Sequence, residues 1–165
     1  MAFDAFIKFT PDAGGEATQV GHVGWTEIFS FSLGGSNPVT VGAGTTGLSG
    51  GKVSLSSFNL MKRTDKASPN LFSAMCQGLH YKTAIVELSK TTGAKKTEVF
   101  IKYTFTDVMV ESIQWSGSSG GDDTPTESVS LAFAKIEISY KPQKDDGTLG
   151  TEVKANWDLQ AVQSS

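Results

Sequence analysis

Apolar side chains recur at every second position along four stretches of the chain, and this alternation restricts the possible folds more than any other feature. Successive side chains of a β-strand point to opposite faces, so each stretch predicts a strand with one apolar face for a core. The sequence therefore predicts a mainly β protein. The four apolar sets are Phe3, Ala5, Ile7 and Phe9; Val23, Trp25, Phe29, Phe31 and Leu33; Val99, Ile101, Tyr103 and Phe105; and Val153, Ala155, Trp157 and Leu159.

The alternation changes phase within three further segments. A shift of one residue exchanges the two faces of a strand, and a β-bulge or a sharp bend restores the buried face. Such slips favour a β-barrel-like fold or a bent two-sheet fold, although a short strand break produces the same pattern. The changes run from Val53 and Leu55 to Phe58 and Leu60; from Phe105 to Val108 and Val110, then to Ile113 and Trp115; and from Val129, Leu131 and Phe133 to Ile136, Ile138 and Tyr140.

One segment has a helical pattern instead. Ser68 is a good N-cap, Pro69 suits the first helical position, and Gly78 is well placed to end the helix. These features predict one short helix over about 69–77, packed against the sheet. Its apolar stripe consists of Leu71, Phe72, Met75 and Leu79.

Residues 35–51 form a long segment that is rich in glycine and free of charge until Lys52. We predict a long Gly-rich loop here, and long loops in compact proteins are often functional or disordered. A second Gly/Ser-rich loop spans 116–125. Neither repeats nor linkers divide the 165 residues, which predicts a single domain over 1–165.

Composition excludes several classes of protein. A net charge of −3 argues against a nucleic-acid binder, which normally carries a basic face. No stretch approaches the roughly 20 apolar residues that span a bilayer, so we expect no membrane insertion. The N-terminal residues lack the basic and apolar regions of a secretory signal peptide. We therefore expect a cytoplasmic protein, or one that leaves the cell by another route than the general secretory one.

No motif in the chain predicts catalysis, a cofactor or a metal site. Gly42, Gly44 and Gly47 fit a dinucleotide-binding pattern, but a strand follows them where that site needs a helix. Cys76 and His80 are four residues apart, and we interpret the thiol as a packed core group, not as a nucleophile. The spacing of the two histidines and of Asp122 and Asp123 does not suggest a metal site.

Several long segments together are similar to one bacterial family. The chain resembles the Hcp (haemolysin-coregulated protein) family of type VI secretion over essentially its whole length. The matching segments are MAFDAFIKF and GGEATQVGH near the start, GKVSLSSFNLMKRTDKASPNLFSAMCQGLH in the middle, and GGDDTPTESVSLAFAKIEISYKPQ and DGTLGTEVKANWDL towards the end.

This resemblance implies a structural role. Members form homohexameric rings from a β-barrel-like subunit with one helix. The rings stack into a hollow tube inside a contractile sheath, carry a spike protein at the tip, and bind small secreted effectors in the lumen. The resemblance also implies cytoplasmic assembly followed by export through the same machine. Candidate stacking or subunit-contact residues are Val41, Gly44, Thr45, Leu48, Lys52, Asp122 and Asp123.

Two other functions remain open from the sequence. A tail-tube protein of a phage shares the tube architecture without effector traffic. A monomeric β-sandwich would bind a ligand such as carbohydrate through Trp25, Trp115 or Trp157, although these tryptophans continue apolar strand faces.

Overall fold

Strands dominate the described part of the protein, which comprises residues 2–42, 47–93, 95–121 and 123–164 of a computed structural model. They are all antiparallel where they pair, and one helix accompanies them. In chain order the elements are β1 Asp4–Thr10, β2 Thr26–Ile28, β3 Ser30–Ser32, β4 Gly35–Ser36, β5 Val39–Val41, β6 Leu48–Gly50, β7 Ser54–Leu55, β8 Phe58–Arg63, α1 Ala67–Gln77, β9 His80–Thr91, β10 Thr97–Ser116, β11 Thr126–Tyr140 and β12 Val153–Asp158.

The main sheet curls into a nearly closed barrel. Its strand order is β2-β1-β9-β10-β11-β8-β3, and β12 pairs with the second half of β11. The two ends of this order, β2 and β3, are separated in the chain only by Phe29, whose N–H donates to the Met61 carbonyl (2.8 Å). One continuous segment therefore joins both ends of the sheet. The barrel-like prediction is confirmed.

Aromatic side chains fill the centre of the barrel. Phe58 and Phe105 are completely buried, with ring centroids 5.0 Å apart. Phe133 packs on Phe105 at 4.7 Å, and Phe31 stacks on Phe58 at 5.7 Å. Each buried aromatic contributes roughly 1.5–3 kcal/mol, so this cluster accounts for a large share of the core energy.

The phase changes mark positions where the buried face changes within the two longest strands. Phe105 and Val108 are both fully buried, and Asp107 between them has a φ of 55°, which reverses the face that β10 presents to the core. The register of β10 against β11 shifts again between Val110 and Ser112. The first predicted phase change has a different cause, because β7 ends at Leu55 and β8 begins at Phe58.

The prediction for the second alternating stretch is wrong in its first half. The buried side chains of β2 are Thr26 and Ile28, whereas Val23 and Phe29 are exposed. Ile28 lies opposite Ala5 of β1, which fixes the buried face of β2. The chain then changes partner at Phe29, from β1 to β8, and the buried face changes with it.

The helix begins two residues earlier than predicted. Lys66 occupies the N-cap position without a side-chain hydrogen bond, and the Asp65 carboxylate accepts from the Ala67 N–H (3.1 Å). Ser68 therefore is not the N-cap. It lies in the first turn, is buried, and its hydroxyl bonds to Glu127 (2.8 Å) and accepts from Lys62 (2.9 Å).

Gly78 ends the helix as predicted, in the left-handed conformation with φ 64°. A Cβ at this position meets only a side-chain carbon at 3.9 Å, so substitution costs backbone strain without a clash. Gly78→Ala is expected to lower the free energy of unfolding by about 1–2 kcal/mol. Chemical denaturation checks this value. Gly120→Ala is the control, because its Cβ meets open space and no positive φ is involved; an equal loss in both variants would contradict the prediction.

The segment predicted as a long loop contains two short strand pairs. β4 pairs with β7, and β5 pairs with β6, so residues 35–42 and 47–55 form a projecting ladder that we call the arm. Val39, Thr40 and Val41 are three consecutive β-branched residues, and such residues favour strand formation. The hydroxyls of Thr40 and Ser49 bond across the strands at 2.8 Å. The Gly51 N–H donates to the Pro38 carbonyl at 2.8 Å.

Candidate assembly surfaces

The arm exposes apolar side chains to an unusual degree. Val41 and Leu48 are cross-strand partners and are 75% and 73% exposed, and Val39 is also exposed. No charged residue lies between Glu27 and Lys52. Contiguous apolar surface on a projecting element marks an interaction site, because folding alone gives no reason to expose it.

The structure places the predicted contact residues at two separate locations. Val41 and Leu48 lie together on the arm, and Lys52 is exposed at its base. Asp123 is exposed in the turn between β10 and β11. Three of the predicted residues, Gly44, Thr45 and Asp122, lie outside the described residues.

These two locations are at opposite ends of β8. The chain enters β8 from the arm at Phe58, and Arg63 at its other end pairs with Thr126 beside the β10–β11 turn. A six-residue strand spans roughly 17–20 Å. The arm and the Asp123 turn therefore do not form one site within a chain, but they are available to meet between two chains.

An apolar groove of about 440 Å³ opens where the barrel is incomplete. β12 bounds one side, and the end of β3 with the base of the arm bounds the other. Burial raises the pKa of the Tyr103 hydroxyl. Among the described residues that line the groove, none carries a charged side chain. The principal lining side chains are Phe31, Leu33, Leu55, Tyr103, Ile138 and Trp157.

β12 lies at the edge of the main sheet, beside this groove. It pairs with β11 from Val153 to Asp158. The edge ends in a turn in which the Ala161 and Gln160 N–H groups donate to Asp158 and hold the pKa of that carboxyl below its usual value.

The outward face of the sheet from β9 to β12 is polar, and its lysines lie close to carboxylates of the same face. Lys102 lies 3.9 Å from Glu87, Lys135 lies 3.4 Å from Asp158, and Lys154 lies 3.7 Å from Glu137. Exposed pairs of this kind contribute little to stability, typically about 0–1 kcal/mol each. They do give the face a mixed charge that water solvates well.

The residues considered for catalysis do not come together as a nucleophile and base. Cys76 is exposed, which makes the prediction of a packed thiol wrong, because helix α1 turns this position away from the sheet. His80 Nδ1 lies 2.6 Å from Asp107, and no hydrogen bond joins His80 to Cys76 in the described chain. Within the same residues, no group of three His, Cys, Asp or Glu side chains has the geometry for a metal.

The tryptophans of the carbohydrate hypothesis do not form a common platform. Trp115 donates its indole N–H to the buried Glu127 and packs on Phe72. Trp157 lines the groove, and Trp25 meets the His22 ring edge-on. Where the helices are described, none is both long and apolar enough to cross a membrane.

Two structural features were not predicted from the sequence. The groove escaped prediction because Phe31, Tyr103 and Trp157 follow ordinary core alternation, and the pattern does not reveal where a barrel stays open. The buried ion pair of Lys62 and Glu127 does have a signal in the sequence. Lys62 has the phase of Phe58 and Leu60, and Glu127 has the phase of Val129 and Leu131, so both charges occupy core positions.

Comparison with known proteins identifies this architecture. The family model described as "Type VI secretion system effector, Hcp" matches residues 6–140. Protein hcp1 of Pseudomonas aeruginosa is 36% identical over 160 residues, covering 96% of each chain. A solved type six secretion system protein superposes with a TM-score of 0.92 at 35% identity, covering 99% of this chain and 100% of the other. Hcp1 from Salmonella typhimurium superposes with a TM-score of 0.81 at 32% identity, with complete coverage of both chains. The chain therefore belongs to the Hcp family of type VI secretion system proteins.

Proposed function

We propose that the protein is the structural subunit of a type VI secretion tube. In this proposal, residues 1–165 form one domain, six copies form a ring, and rings stack into a hollow tube. The observation that carries the proposal is the arm, which presents Val39, Val41 and Leu48 to solvent on the paired strands β5 and β6, neither of which contains a charged residue. These side chains become buried only when a second chain covers them.

The positions of the contact surfaces support stacking in one direction. The arm projects near one end of β8, and the Asp123 turn lies at the other. Two different surfaces that meet between copies form a heterologous contact, which propagates along a tube when every ring has the same orientation. We therefore propose head-to-tail stacking with the arm of one ring directed at the next.

The polar face of β9 to β12 suits the lumen of such a tube. Its paired lysines and carboxylates leave little net charge, so effectors of varied composition can bind weakly and be released. The proposal assigns the subunit no catalytic activity. It also includes assembly in the cytoplasm inside a contractile sheath, a spike protein at the tip, and export with small effectors.

Electron microscopy of the purified protein tests the proposal. Rings with a central hole are expected, and raised protein concentration should produce stacked tubes. Particles that remain compact single barrels under all conditions would contradict the proposal.

A further inference from the structure

The loop between β1 and β2 presents a second apolar projection. Val20 is 92% exposed and Val23 is 71% exposed, and no other large hydrophobic side chain among the described residues is as exposed as Val20. Val20 and Val23 lie in a compact turn over residues 17–25, which we call the knob. None of the candidate stacking or subunit-contact residues lies in this loop.

The knob is held rigidly. The Ala17 N–H donates to the Trp25 carbonyl and the Gly24 N–H donates to the Ala17 carbonyl, both at 2.9 Å. His22, between the two valines, is buried and stacks on Phe6 with ring centroids 4.4 Å apart. Its Nε2 lies 2.8 Å from Glu87. These contacts hold the two exposed valines in place before any partner binds. Binding therefore costs the knob little further conformational entropy.

The knob and the groove lie on different faces of the main sheet. His22 places the knob over the outward face of β1 and β9. The groove exposes Tyr103 and Ile138 from the inward face, beside β12. An apolar projection and an apolar groove therefore occupy different flanks of the subunit.

The charges beside the two features are complementary. Residues 11–27 contain Asp12, Glu16 and Glu27 but no lysine or arginine. Lys52 directly precedes Val53 of the groove and is exposed, and in the described chain no carboxylate lies within ion-pair distance of its ammonium group. The acidic segment around the knob and the cation at the groove would attract one another in the orientation that brings the valines to the groove.

We propose that the knob of one copy docks in the groove of the neighbouring copy within a ring. Val20 and Val23 contact the half-buried groove side chains, and Lys52 faces the acidic segment of the neighbour. The contact joins two different surfaces and is therefore heterologous. Heterologous contacts form a ring when the rotation from one subunit to the next closes after a whole number of copies. This inference rests on the proposed function and specifies which surfaces join its subunits.

Cysteine pairing across the contact tests the inference. In a Cys76→Ser background, Val23→Cys combined with Ala155→Cys is expected to give a ladder of disulfide-linked species under mild oxidation, read on a non-reducing gel. A disulfide forms only when the two Cα atoms approach within about 7 Å. The control pair is Val23→Cys with the exposed Asp145→Cys, which lies away from the groove lining. Absence of the ladder, or an equal ladder in the control, overturns the inference.

Charge placed on the knob gives the second measurement. Val20→Lys with Val23→Lys removes no buried contact within the subunit, so the fold is retained while the ring dissociates, and the solution mass falls from about six subunits to one. Ser73→Lys with Gln77→Lys adds the same charge on the exposed side of α1, away from the knob, the groove and the stacking surfaces, and keeps the ring. A lysine variant that stays a ring overturns the inference but leaves the proposed function intact. A wild-type protein that never forms a ring contradicts the proposed function itself.

Discussion

Lys62→Met is expected to lower the free energy of unfolding by about 3–5 kcal/mol, because it leaves a fully buried carboxylate without a counter-charge. Lys62 and Glu127 are cross-strand partners in β8 and β11 and are both fully buried. Lys62 Nζ contacts the Glu127 carboxylate and also lies 2.8 Å from Asp65. Glu127 in turn accepts hydrogen bonds from Ser68 and Trp115. The pair thus joins two strands to helix α1 and to β10.

Denaturant unfolding followed by tryptophan fluorescence measures this effect. All variants are compared at one protein concentration, because assembly raises apparent stability. Lys154→Met is the matched control, since Lys154 is half-exposed and lies 3.7 Å from Glu137 and from Glu152; its expected cost is below about 1 kcal/mol. Adding Glu127→Leu to Lys62→Met should recover much of the loss, because the fully buried carboxylate is then gone and only the partly exposed Asp65 lacks its cation. Equal costs for Lys62→Met and the control would contradict the account.

Val41→Asp with Leu48→Asp is expected to abolish tube formation while leaving the barrel folded. The two side chains are already exposed in the single subunit, so the substitutions remove no core packing. Burying a side chain of this size contributes roughly 1.5–3 kcal/mol, so losing both weakens each contact by about 3–6 kcal/mol, or more than about 100-fold. Buried carboxylates would weaken it further.

Electron microscopy of tubes and circular dichroism of the fold give the two readouts. Val41→Ile with Leu48→Met keeps the arm apolar and should keep the tubes. Deletion of residues 41–49 should likewise spare the barrel and the ring while weakening ring-on-ring stacking. Tubes of normal length in the aspartate variant would show that the arm tip does not carry the stacking contact.

Much of the barrel could be predicted from alternation because each strand has one apolar face. The phase change between Phe105 and Val108 could be predicted from the sequence, and Asp107 with its positive φ is its physical cause. The buried face of β2 could not be predicted from the sequence, since the polar Thr26 is buried and the apolar Phe29 is exposed. A three-residue strand that changes partner immediately afterwards offers too short a pattern to fix its register.

The assembly surfaces were predictable only in part. The charge-poor composition of 35–51 indicated an unusual segment, and the strand pairing of Val41 with Leu48 shows that the segment contains a paired hairpin. The groove depends on where the sheet fails to close, and this follows from the pairing of β12 and β8 along different halves of β11. Such a long-range arrangement leaves no local pattern in the sequence.

The solution mass of the purified protein tests the central claim most directly. Light scattering coupled to size-exclusion chromatography measures it without reference to shape. The account predicts a mass of about six subunits, as expected for a closed cyclic ring. A strict monomer that persists at high micromolar concentration would contradict it.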